Sequence, residues 1–142
     1  MTRISIFAAT ALAAALLAVC AIGAGAAAPP AAVNECAPGE LGVRAHLAGQ
    51  GSADSMRVRF TAQWLDPATG AWQPVAGSAT TPWQSSGRAS WNWWEAGWTF
   101  YLDRPAAGTT WTLRGVAERQ WLRGGSALRS DTAVSGSCTV SG

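Results

Sequence analysis

The chain has no lysine and one histidine; its ten basic residues are all arginine, set against eight acids. Each shortage removes a class of function. Without lysine there is no Ser-x-x-Lys acyl chemistry, and a charge balance this even announces no polybasic patch for nucleic acid. A hydrolase triad needs a base oriented by a third group. The only candidate, His46, falls on the polar face of an expected strand with no nucleophile motif beside it, and reads as an exposed strand histidine. Zinc wants several Cys or His ligands, and calcium wants closely spaced oxygens. Asp54, Asp66, Glu95, Asp103, Glu118 and Asp131 are scattered singly. No catalytic residue, metal site or cofactor is therefore expected.

The one long hydrophobic run is at the start. Thr2 and Arg3 precede an almost wholly apolar, alanine-rich stretch from Ile4 to Ala28, the pattern of a secretory signal peptide over residues 1–28. Ala24 and Ala26 suit cleavage after Ala26. A retained transmembrane anchor is the competing reading, since the stretch is long enough to span a bilayer. Leu17-Ala18-Val19-Cys20 also approaches a lipidation box, with Val19 where a small residue belongs. Cleavage makes the protein extracellular, with no membrane attachment. About 114 residues then remain, enough for one domain. Of the three cysteines only Cys36 and Cys138 would survive, and in an exported chain they are expected to form a disulfide.

Residues 29–35 read as a flexible Pro/Ala linker and 36–142 as the domain. From Leu41 the pattern has period two. Leu41, Val43, Ala45 and Leu47 alternate with polar or small residues, then Met56, Val58, Phe60, Ala62 and Trp64 face opposite to Arg57, Arg59, Thr61 and Gln63. Asp66-Pro67-Ala68-Thr69-Gly70 has turn chemistry, and pairing Leu65 with Ala71 sets Trp64 opposite Trp72. Gly124-Gly125 suits a two-residue primed turn. Its register sets Trp121 against Leu128, Ala117 against Thr132, Gly115 against Val134 and Trp111 against Cys138 on one face. It also sets Glu118 against Asp131, a repulsive pair, so a bulge or twist is expected near the turn. No stretch after residue 28 has a helical period or a capped start. The domain reads as all-β, a two-sheet sandwich of about six or seven strands.

A resemblance follows from these segments. FTAQWLDPATGAWQPV and WTFYLDRPAAGTTWTLRGVAER resemble the middle and late strands of a fibronectin type III or related immunoglobulin-like domain, over about residues 56–135. Leu102, Pro105, Thr109 and Trp111 follow the order in which that family enters its penultimate strand. Trp111 stands where the family has its corner tyrosine, and the cysteines would join the ends of the domain rather than the usual strands. The Gly-Trp-Thr-Phe and Leu-Arg-Gly segments are also similar to exported immunoglobulin-like proteins of actinobacteria. The resemblance implies a sandwich and an extracellular setting, and no activity.

Nine tryptophans are the conspicuous surplus. Parity places Trp98, Phe100 and Leu102 on one inner face, Trp111, Leu113 and Ala117 on another, and Trp64, Trp72 and Trp121 with them, where large aromatics fill a small core. Trp83, Trp91, Trp93, Trp94 and Tyr101 remain. If Trp94 continues the inner face, Trp91 and Trp93 stand together outside, about 7 Å apart, and Tyr101 faces outward in the next strand. Trp91, Trp93 and Tyr101 are then a ligand platform for a polysaccharide or an extended peptide. Alternatively, Glu95-Ala96-Gly97 resets the parity and buries the cluster under a loop. Three functions are in play. The first is an exported, non-catalytic binding or adhesion module. The second is a structural or protein-interaction domain of the cell envelope, using a sheet edge or Arg57 and Arg59. The third is a small glycoside hydrolase with Glu95 opposed by Asp103 or Glu118, which requires two carboxylates about 5 to 10 Å apart.

Overall fold

The computed structural model describes residues 27–76, 80–90 and 92–142. The expected signal segment, Cys20 included, lies outside them save for its last two residues. Among the described residues the chain is all-β, with eight strands and no helix. The first sheet has the order β1 (Ala31–Ala37), β2 (Glu40–Ala48), β6 (Trp93–Tyr101). The second has the order β4 (Trp72–Pro74), β3 (Ser55–Leu65), β7 (Thr110–Arg123), β8 (Ser126–Ser141), with β5 (Gln84–Arg88) also on β3. Every pairing is antiparallel.

The period-two pattern builds the core. Leu41, Val43, Ala45 and Leu47 of β2 are buried against Met56, Val58, Phe60 and Ala62 of β3 and Leu113, Ala117 and Trp121 of β7 in one apolar cluster. Burying each large side chain contributes roughly 1.5–3 kcal/mol. Val43 packs where Gly115 lacks a side chain, and a Cβ there would overlap both Val43 methyls. Cys36 and Cys138 form the expected disulfide, with Cα atoms 6.4 Å apart. It joins β1, an edge of the first sheet, to β8, an edge of the second.

Several expectations are corrected. Residues 31–35 belong to β1 and are not a linker, because β2 offers them a partner edge that composition does not reveal. The β3–β4 pairing is shifted by one residue from the expected register. Asp66 N–H bonds Ala71 O, so Trp72 pairs with Leu65 and turns to the outer face, while Trp64 packs on the core. Gly124 and Gly125 do form the turn, with φ of +54° and +81°, as primed turns need. The register then slips at Leu128 and again beside Gly115. The first slip places Asp131 opposite Arg119 in place of Glu118, replacing a repulsion by an ion pair at 2.7 Å. It also leaves Leu128 exposed, and Val134, now opposite Val116, is exposed as well.

Candidate functional site

β6 runs without interruption through Glu95-Ala96-Gly97, so the parity is not reset. Trp94, Ala96 and Phe100 face inward. Trp93, Glu95, Gly97, Thr99 and Tyr101 share the outer face. Trp98, expected in the core, has inward parity yet stays 42% exposed, because β6 has a neighbouring strand on one side only. Trp93 is 57% exposed and Tyr101 76%. Trp91 lies outside the described residues. Tyr101 is in the same strand as Trp93, not the next one, and eight residues of extended chain separate them by roughly 26 Å. The structure therefore does not bring Tyr101 into one platform with Trp93.

Trp93 has a different neighbour. His46 of β2 stacks on it with ring centroids 5.5 Å apart and planes inclined by 21°, and the indole remains more than half exposed. Next along the face, Arg44 Nη1 donates to Glu95 Oε1 at 2.6 Å. Both side chains are solvated, so the pair is worth at most about 1 kcal/mol to stability, and it exposes donors and acceptors beside the indole. Beyond it Gly97 carries no side chain, and a polar trough of about 370 Å³ opens between Asn34, Arg44, Glu95 and Thr99. The irregularity between Val33 and Glu35 in β1 brings Asn34 and Glu35 over Gly42, where a Cβ would come within 2.8 Å of Glu35 Cβ. One face thus holds an aromatic plate and a polar trough, about 13 Å apart along β6 from Trp93 to Gly97.

A second concavity lies at the opposite end of β6. Trp64 and Trp111 from the second sheet, Tyr101, Leu102 and Asp103 from the chain leaving the first, and Val75 line a cleft of about 640 Å³. Trp64 pairs with Leu113, which sets Trp111 diagonally beside it on the inward face.

The carboxylates considered for hydrolysis are kept apart. Glu95 lies on the outer face of the first sheet with Arg44, whereas Glu118 lies on the outer face of the second with Arg59, at 2.7 Å. Asp103 is past the far end of β6. Arg57 and Arg59 are already engaged. Arg57 Nε donates to Gln120 Oε1 at 2.7 Å, and both guanidinium groups lie over Trp83, at 4.5 and 4.8 Å from its ring centre. Arg114 likewise covers Trp72 at 4.1 Å, and burial lowers its pKa. Trp83, unassigned from sequence, is the plate under this arginine face.

Comparison with family models, curated proteins and solved structures finds no match to this chain. No helix among the described residues is long and apolar enough to cross a membrane, and no cluster of three metal-ligating side chains occurs among them.

Proposed function

We propose that the chain is an exported, non-catalytic binding module of immunoglobulin-like or fibronectin III-like type, released by a signal peptide at residues 1–28, that holds a polysaccharide on the outer face of its first sheet. The observation that carries this reading is the exposed indole of Trp93, backed by His46 and followed on the same strand by the trough at Gly97. The C–H groups of a sugar ring suit the electron-rich face of an indole. Its hydroxyls need both donors and acceptors, which Arg44, Glu95, Asn34 and Thr99 offer together. The spacing from plate to trough suits a short run of sugar units rather than a single one.

The disulfide supports an extracellular setting. An envelope interaction domain working through Arg57 and Arg59 is the lesser reading, because both side chains are already held by Gln120, Glu118 and Trp83.

The test is depletion of the oxidised protein by insoluble chitin, cellulose or peptidoglycan, beside Trp93→Ala. Trp93 is exposed, so the variant should fold. Depletion that persists in high salt and is lost in Trp93→Ala is the expected result, since stacking on neutral sugars is little screened. Depletion that high salt abolishes, or that Trp93→Ala leaves intact, would sink the sugar-platform reading, as would no depletion by any of the three.

A further inference from the structure

The cleft at the far end of β6 has a composition unlike the Trp93 face. Its lining is aromatic and aliphatic, and its one carboxylate is that of Asp103. Among the described residues Asp103 makes no side-chain hydrogen bond and no ion pair. Its neighbour Arg104 does not neutralise it, because the Arg104 side chain runs over the β1–β2 turn, its Cγ 3.4 Å from where a Cβ on Gly39 would stand. Glu95, Glu118 and Asp131 each have an arginine within 2.9 Å; the other acids without an ion pair among the described residues, Glu35, Glu40, Asp54 and Asp66, do not line this cleft. A carboxylate without an ion pair in a cleft also lined by Trp64, Tyr101 and Trp111 is thus particular to this place in the fold.

We propose that the cleft binds a small quaternary ammonium compound. A cation that is weakly hydrated and carries methyl groups satisfies both features of the lining at once. Its charge is attracted by the negative faces of Trp64, Tyr101 and Trp111 and balanced by Asp103, while its methyl groups displace water from apolar walls. A primary ammonium is more strongly hydrated and gains less from rings that accept no strong hydrogen bond. The volume of about 640 Å³ falls in the range of small-molecule sites, roughly 300–1,000 Å³, so the ammonium head leaves space for an attached organic body. The site is separate from the Trp93 face by nearly the length of β6, and it does not depend on the polysaccharide reading.

The experiment is calorimetric titration of the oxidised protein with choline and, in parallel, with 3,3-dimethylbutanol, which has the same shape without the charge. Asp103→Asn and Tyr101→Ala are the test variants; both residues are exposed, and far-ultraviolet circular dichroism checks that each folds. Trp93→Ala is the control on the other face. The expected result is saturable binding of choline, weaker by at least about tenfold for the uncharged alcohol, similarly weakened by Asp103→Asn, reduced by Tyr101→Ala and unchanged in Trp93→Ala. Equal binding of the two probes, no saturation by choline, or choline binding lost in Trp93→Ala and kept in Asp103→Asn would each overturn the assignment. A neutral disaccharide that binds the parent and is lost in Asp103→Asn would overturn it too, by giving the cleft to sugars.

Discussion

The indole Nε1 of Trp121 donates to the backbone carbonyl of Ala48 at 2.8 Å, so that a side chain of one sheet completes the hydrogen bonding of the other. Arg119, two residues earlier on the same inward face, does the same for His46 O at 2.6 Å while pairing with Asp131. The need arises because β1 is shorter than β2. Pro30 O accepts the His46 N–H, and past that point β2 has no strand on this side to take up its carbonyls. The Trp121 and Arg119 bonds are both partly shielded from solvent, where a peptide carbonyl without a donor is costly. An arginine on the inward face of β7 therefore bridges the two sheets.

Trp121→Phe should expose this dependence. The variant keeps an aromatic ring but leaves Ala48 O without its donor and opens space in the core, at a cost of roughly 2–4 kcal/mol. Urea unfolding with an unchanged slope measures it. A loss below about 0.5 kcal/mol would mean that water replaces the indole without penalty.

Gly115→Ala should destabilise by roughly 1–3 kcal/mol through overpacking, since its Cβ would overlap the methyls of Val43. Val43→Ala in the same chain should recover part of the loss, giving a favourable coupling energy in a double-mutant cycle. Simple additivity of the two substitutions would place the strain elsewhere, for instance in the Gly115 N–H bond to Ser135 Oγ at 2.8 Å.

Removing the disulfide with Cys36→Ser and Cys138→Ser should cost about 2–5 kcal/mol. The bridge closes a loop with a sequence separation of 102 residues, and in the chain-entropy account long loops gain most from closure. Chemical denaturation of the double variant against the oxidised parent reads the loss. Two titratable thiols from Cys36 and Cys138 in the denatured parent would show instead that the bridge does not form in solution.

Acid should reveal the β3–β4 turn. The Asp66 carboxylate accepts the Ala68 N–H at 2.9 Å and the Thr69 hydroxyl at 2.8 Å, and these bonds, that from Ala68 first, hold its pKa below the ordinary carboxylate value. Folding therefore favours the ionised form. Its contribution is complete above the unfolded-chain value, near ~3.9, and is lost as pH falls through the lower folded value. Asp66→Ala should lower the urea midpoint at neutral pH, and the gap from the parent should shrink in acid below that window. A gap independent of pH would mean that the carboxylate's charge is not what the turn uses.

The alternation of β2, β3 and β7 and the Gly124-Gly125 turn were legible, because a strand buried on one face must repeat every two residues and two successive positive φ angles call for glycine. The registers were not. The repulsive Glu118–Asp131 pairing did call for a bulge or twist near the turn, and a bulge stands at Leu128. Composition does not say which residue it takes, and that choice moves Asp131 from Glu118 to Arg119. The same one-residue ambiguity in the β3–β4 loop sent Trp72 to the outer face, under Arg114. Trp93 was found by parity. Its partner His46 was not, because the two meet across strands that lie about a third of the chain apart in sequence. The cleft was invisible for a similar reason: Trp64, Val75, Tyr101, Asp103 and Trp111 come from separate segments, and no short motif unites them.

The link between Cys36 and Cys138 also has a mechanical consequence. A pull applied between residues before Cys36 and residues after Cys138 travels through the sulfur atoms and bypasses the chain enclosed between them. The ladders from β2 to β7, Trp93 with His46, Arg44 and Glu95, and the aromatic cleft lie inside that enclosed length, and of the trough's side chains Asn34 lies outside it. Only the outer ends of β1 and β8 stand in the line of force. A chain held at both ends would keep its ligand surfaces unstrained while the tension runs past them.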